Sequence, residues 1–154
     1  KATQDGVFTG DFEDINKGLT TAQAFIDQGA DVILPVAGQV GEGAARAALD
    51  SGTASIIWVD SDGYDTLSPD FRPVLLTSVL KNTGSAVVEI VKTSIDDTFD
   101  NAPFIGTLEN GGVGIAPFHD LAPRVSAELS AEIDQLRSDI VAGTIVVTSP
   151  STPR

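Results

Sequence analysis

Short apolar runs alternate with helix-period segments along this chain, and few architectures accept that order. Asp31-Val32-Ile33-Leu34-Pro35-Val36, Ala54 to Val59 and Val74 to Val79 are nearly unbroken apolar stretches. They are too short for helices and too uniformly apolar for strands with one wet face, so they read as buried parallel strands. Between the amino terminus and the first of them, Ile15, Leu19, Ala22, Phe25 and Ile26 recur at helical spacing, closed by Gly29. Between the first and second lies a glycine-rich turn, Gly38 to Gly43, leading into an alanine-rich helix (Ala44, Ala45, Ala47, Ala48, Leu49) that stops at Gly52. Strand, helix, strand with short connections predicts an α/β domain: a mostly parallel sheet flanked by helices.

The rest of the chain extends the pattern. Asp60 to Pro73 reads as a loop. A helix is expected from Thr83, with Ala86, Val87, Ile90, Val91 and Ile95 as its apolar face. Another begins at Ser126 and carries Leu129, Ile133, Leu136 and Ile140 on one side. Further short strands are expected at Val7-Phe8-Thr9, Phe104 to Leu108, Val113 to Ala116 and Ile145-Val146-Val147, with a turn at Asn110-Gly111-Gly112. Thr148 to Arg154 reads as a frayed tail.

Composition narrows the function. A length of 154 residues suits one domain. With 22 acidic and 9 basic side chains the formal charge is −13, a field that repels phosphate backbones, so no nucleic-acid partner is expected. Cysteine is absent and there is one histidine, which removes thiolate chemistry, disulfides and two-histidine metal motifs. No cofactor is indicated. No apolar run approaches the roughly 20 residues of a membrane span. The chain opens at Lys1 and lacks methionine, which reads as a processed or engineered start.

In parallel sheets, ligands meet the carboxyl ends of the strands, so the residues just past each strand are the candidates. Asp60, in Val59-Asp60-Ser61-Asp62, ends an apolar strand; its carboxylate can accept both hydroxyls of a vicinal diol or simply cap a turn. Lys81 ends the next strand and can balance Asp60 and donate to a sugar oxygen, or stand as a surface lysine. Gly38 opens a loop whose backbone N–H groups can meet hydroxyl or carbonyl oxygens, or which merely lets a helix start near the sheet. Phe12, alone among carboxylates in Gly10-Asp11-Phe12-Glu13-Asp14, can be a stacking platform or a plug that pins its loop. Trp58 is expected in the core, and His119 in a loop, bonded to Asp120 or to backbone.

Seven segments in order resemble one family. They are Thr9-Gly10-Asp11-Phe12-Glu13-Asp14, Gln28 to Ile33, Val36-Ala37-Gly38, Val59-Asp60-Ser61-Asp62, Leu76 to Lys81, Gly111 to Ala116, and Gly143-Thr144-Ile145-Val146-Val147. Together they look like the carboxyl-terminal half of the BMP family of basic membrane lipoproteins, the PnrA-like substrate-binding proteins of ABC transporters, whose characterised members bind purine nucleosides. The resemblance implies one lobe of a type I periplasmic-binding-protein fold over residues 1–147, with a tail at 148–154, the amino-terminal lobe lying outside this chain. It implies a binding protein and not an enzyme: Phe12 stacking on the base, Gly38 approaching the ribose through backbone, Asp60 accepting ribose hydroxyls and Lys81 donating to them. It also implies an ABC permease as partner and an extracytoplasmic, lipid-anchored parent. Gly63 stands where the family often has Gln or Trp, a departure at the rim of the site. By the same analogy the helix over 83–95 packs on the other lobe, so here it rearranges, swaps with a second copy or keeps a partner chain.

A different class of function stays open from the residues alone. Asp60 and Asp62 at one strand end also suit a flavodoxin- or receiver-like enzyme or phosphoryl-transfer domain using Mg²⁺.

Overall fold

The structure, a computed structural model, describes residues 6–149. Residues 1–5 of the expected lobe and 150–154 of the expected tail lie outside the described residues. Four strands form one sheet in the order β1-β2-β3-β4: β1 (Val32–Ile33), β2 (Ser55–Asp60), β3 (Leu75–Lys81) and β4 (Val113–Ile115). β1, β2 and β3 run parallel, with Ile33 opposite Ile56 and Asp60 opposite Leu80, while β4 returns antiparallel, with Lys81 opposite Val113. The expected α/β class and mostly parallel sheet are therefore present.

α1 (Ile15–Asp27) starts where the Asp14 carboxylate accepts the Asn16 N–H, a cap that satisfies one of the helix's orphan donors. α2 (Val40–Ser51) ends on Gly52, whose φ of 64° is the left-handed turn that closes many helices. The two helices cross with almost no side chain between them. A Cβ on Gly18 would lie 1.8 Å from the Val40 carbonyl oxygen, and one on Gly43 2.0 Å from that of Ile15. Bare backbone at both positions lets the helices meet. The core beneath them is correspondingly fine-grained: Ala22, Ala44, Ala45, Ala47, Ala48 and Ala54 surround Ile33, Ile56, Val74 and Leu75. Trp58 packs against this cluster as expected.

Two later helices are different. α4 (Thr83–Ile95) and α5 (Ala127–Val141) bury no residue, although both carry apolar faces. Ser126 caps α5 as read from sequence, accepting the Leu129 N–H. α4 starts at the expected Thr83, but Asn82 is its N-cap and makes no side-chain capping bond. The expected loop over 60–73 contains a short helix, α3 (Gly63–Thr66), and a 3₁₀ segment at Pro69–Val74.

Three expected strands are absent. Val7 to Thr9 and Ile145 to Val147 are irregular: β propensity alone does not make a strand without a neighbour to supply ladder bonds. Phe104 to Leu108 is irregular because Asn110 claims its backbone. The Asn110 side chain accepts the Thr107 N–H and donates to the Ile105 carbonyl, folding the segment back on itself.

Candidate functional site

Because β1 to β3 are parallel, their carboxyl ends share one edge. Asp60 is the last residue of β2 and Lys81 the last of β3. Their side chains meet there, Lys81 Nζ 2.7 Å from Asp60 Oδ1, with the carboxylate 63% and the ammonium 70% exposed. They line a cavity of about 500 Å³ with Ser61, Leu80, Asn82 and Thr83. An ion pair this open to water contributes only about 0–1 kcal/mol. It leaves both groups available to an oxygen-rich ligand.

Asp60 is held in an unusual backbone conformation. Its φ is 70°, and the Ser61 N–H donates to the Val59 carbonyl at 2.9 Å. This three-residue reversal is a strained γ-turn, and a non-glycine residue in the left-handed region costs on the order of 1–3 kcal/mol. The exposed pair with Lys81 does not offset a cost of that size.

Asp62, two residues on, is a hub. Its Oδ1 accepts the Tyr64 N–H at 3.1 Å and so caps α3. The same oxygen lies 3.4 Å from the hydroxyl of Ser78, which is buried on β3 and itself accepts the Gly63 N–H at 3.0 Å. Its Oδ2 is 2.7 Å from His119 Nε2. His119 does not bond Asp120 or backbone, as its sequence neighbours suggested. It lies in a 3₁₀ segment, His119–Arg124, and reaches Asp62 from beyond β4. The imidazole stacks on Tyr64, ring centroids 4.1 Å apart, and the Arg72 guanidinium lies 4.5 Å from the centroid of the same tyrosine ring. The Tyr64 hydroxyl donates to Asp120, and that bond, with desolvation, pushes the phenol above its ordinary pKa.

Phe12 and Gly38 form a second pair. Gly38 has a φ of 56°, and a Cβ there would lie 3.3 Å from the Phe12 carbonyl oxygen and 3.7 Å from its Cδ1. Phe12 is 69% exposed. Asp11 fixes this loop: its Oδ1 accepts the Glu13 and Asp14 N–H groups at 2.7 and 2.9 Å, and its Oδ2 pairs with Lys17 at 3.0 Å. Those bonds hold the Asp11 carboxyl well below the usual carboxylate range. Phe12 lines a separate apolar cavity of about 410 Å³ with Phe8, Phe25, Leu34 and Val36. The four sequence candidates thus fall into two neighbouring pairs, Asp60 with Lys81 and Phe12 with Gly38; Asp60 and Lys81 line one cavity and Phe12 lines the other. Among the described residues there is no cluster of three or more His, Cys, Asp or Glu side chains able to hold a metal ion.

Known proteins share this architecture. Residues 5–151 match the family model of the PnrA-like ABC transporter substrate-binding proteins. The chain belongs to this family. Among curated proteins, it is 32% identical over 146 residues to basic membrane protein A of Borreliella burgdorferi, an alignment covering 92% of this chain and 41% of that protein. Among solved structures, an ABC transporter solute-binding protein from Conexibacter woesei superposes with a TM-score of 0.75 at 20% identity, covering 96% of this chain and 47% of that one. A solute-binding protein from Aeropyrum pernix gives 0.76 at 22% identity, over 94% and 47%. At those identities the structures speak for the fold alone. The chain spans less than half the length of each of these relatives.

Within this PnrA-like chain, sequence reasoning missed the Asp62–His119–Tyr64–Arg72 assembly. The segment Pro117-Phe118-His119-Asp120 offered a lone histidine with an acidic neighbour, and the neighbour was the natural partner. Nothing local points to a carboxylate 57 positions away.

Proposed function

We propose that this chain is the sugar-gripping part of an extracytoplasmic solute-binding component of an ABC importer, and that its ligands are purine nucleosides. The observation that carries this reading is the Asp60–Lys81 pair: a carboxylate and an ammonium 2.7 Å apart, both more than half exposed, at the mouth of one cavity. Asp60 accepts the two ribose hydroxyls and Lys81 donates to a ribose oxygen, charge-assisted bonds worth about 1.5–3 kcal/mol each. Phe12 stacks on the base, adding roughly 1 kcal/mol beyond the area it covers, and Gly38 lets backbone approach the sugar. Family membership supports solute binding in transport, and the nucleoside is the finer reading that the pair supports.

The parent protein, on this proposal, is lipid-anchored outside the cytoplasmic membrane and docks on a permease. The bare face of α4 is covered, either by the portion of the family's length that this chain does not span or by a second copy of this chain. Residues 1–147 correspond to the carboxyl-terminal lobe of a two-lobed binder, so the chain alone holds ligand weakly.

Calorimetric titration with adenosine, guanosine, uridine, ribose and MgCl₂ tests the reading, with Asp60→Ala alongside. Purine nucleosides should bind and Asp60→Ala should remove the signal. Heat from Mg²⁺ with none from any nucleoside would overturn it.

A further inference from the structure

Resting on the reading of Asp60 as the diol acceptor, we propose that His119 is its positioning residue: by holding Asp62 from across the sheet, it keeps Asp60 in the left-handed turn that presents its carboxylate to ligand.

Asp60 sits at φ 70° with the reversal closed by a single Ser61–Val59 hydrogen bond. A conformation of that kind persists only when its surroundings over-determine it. On the upstream side Asp60 is fixed by the β2–β3 ladder. On the side facing ligand it has only the exposed pair with Lys81, which a ligand would compete for. Downstream, the chain is kept from swinging back to extended geometry by the Gly63 N–H, which donates to the buried Ser78 hydroxyl at 3.0 Å, by the contact of the Ser61 and Thr66 hydroxyls at 3.2 Å, and by Asp62, the one of these anchors that reaches beyond β4.

Asp62 grips in three directions: to α3 through the Tyr64 N–H, to β3 through Ser78, and to the segment after β4 through His119. The first is local and would survive a movement of α3 as a whole. The bond to Ser78 is long. The 2.7 Å bond to His119 is the shortest of the three, and it is shielded, the two side chains being 22% and 19% exposed. A carboxylate only accepts, so Nε2 carries the hydrogen. His119, itself in a left-handed backbone conformation at φ 42°, is in turn held by its stack on Tyr64, a ring that Arg72 also contacts. The segment that carries it is tied to β3, where the Ala116 N–H donates to the Ser78 carbonyl and the Thr77 hydroxyl donates to the Ala116 carbonyl. Two residues with left-handed backbone are therefore linked through one carboxylate, and the sheet is the frame that keeps both in place.

His119→Phe keeps a stacking ring and loses the donor; His119→Gln loses the ring and keeps an N–H that can reach Asp62. The first readout needs no ligand: the backbone three-bond coupling of Asp60, which reports φ, and its carboxyl ¹³C shift, both measured on this chain. The second is adenosine affinity by NMR titration. The expected result is that His119→Phe moves both Asp60 signals and weakens adenosine at least about tenfold, while His119→Gln stays within about threefold of the parent. Unmoved Asp60 signals in His119→Phe would overturn the proposal. So would equal losses in the two variants that track melting temperature, because His119 would then hold the fold and not the turn. If His119→Phe does not fold, Asp62→Asn replaces it. That variant keeps the cap on Tyr64 and weakens the bond to His119, and it should move the same Asp60 signals in the same direction; no movement would overturn the proposal. If adenosine fails to bind the parent chain, the nucleoside reading falls while the Asp60 signals still decide the role of His119.

Discussion

Helices α2 and α4 are nearly equal in length, 12 and 13 residues, and both carry an apolar face, yet α2 buries seven residues and α4 buries none. The difference lies in the side chains. α2 presents alanine and glycine, whose small surfaces let α1 and the sheet come close. α4 presents Val87, Val88, Ile90 and Val91, all exposed, which have more area to hide and, among the described residues, no element to hide it against. A helix of about 13 residues is marginal in water by propensity alone, and most helical stability comes from packing. The first half of the fold is therefore built on contacts the chain makes with itself, whereas α4 buries none of its residues.

A matched pair of truncations breaks or sharpens that contrast most directly. Ile56 is fully buried in the α2-side core and Ile90 stands on the open face of α4. Ile56→Ala should cost about 2–5 kcal/mol in urea unfolding, through lost burial and a cavity. Ile90→Ala should change stability by less than about 0.5 kcal/mol, as surface substitutions do. Equal costs would mean that α4 is packed in solution and that the contrast is wrong.

The cover of α4 can be probed by a charge. Val87→Glu places one in the middle of the face and should leave the unfolding free energy of the monomer within about 0.5 kcal/mol. If a second copy supplies the cover, the wild-type chain should associate at high concentration in sedimentation equilibrium, and Val87→Glu should return it to monomer. A wild-type chain that stays monomeric at all concentrations would remove the second copy from consideration.

The same contrast explains what was legible in the sequence. β2 and β3 were readable because each is a short run rich in apolar residues, and Asp60 and Lys81 were readable because their place at the ends of those runs is set by strand direction. α4 and α5 were readable as helices, since periodicity is local. Their lack of cover was not a property of their residues: it was expected for α4 only through the family resemblance, and for α5 not at all. The segment around Phe104 and that around Val146 look like strands because propensity is read one segment at a time, whereas pairing is decided by neighbours and, at Phe104, by one asparagine. His119 is the sharpest case. Its partner in space is Asp62, and only the return of β4 beside β3 brings the two together.

The smallest effect expected lies in the loop that carries Phe12, which is fixed by local bonds and not by burial. Asp11 accepts two backbone N–H groups and the Lys17 ammonium there, and its folded-state pKa lies below the ordinary value of 3.8. A carboxyl depressed on folding stabilises fully above its unfolded pKa, and that contribution is lost as pH falls through the folded value, because the unfolded chain takes up the proton first. The loss therefore begins near 3.8 and deepens toward stronger acid. Asp11→Asn keeps one acceptor oxygen and removes the charge. Thermal melts of the two chains from neutral pH to about pH 2 should show a gap that is constant at and above about pH 5 and narrows below about pH 4. A gap that widens in acid would mean that the carboxylate is not what holds the loop, and would leave the Phe12–Gly38 contact as its anchor.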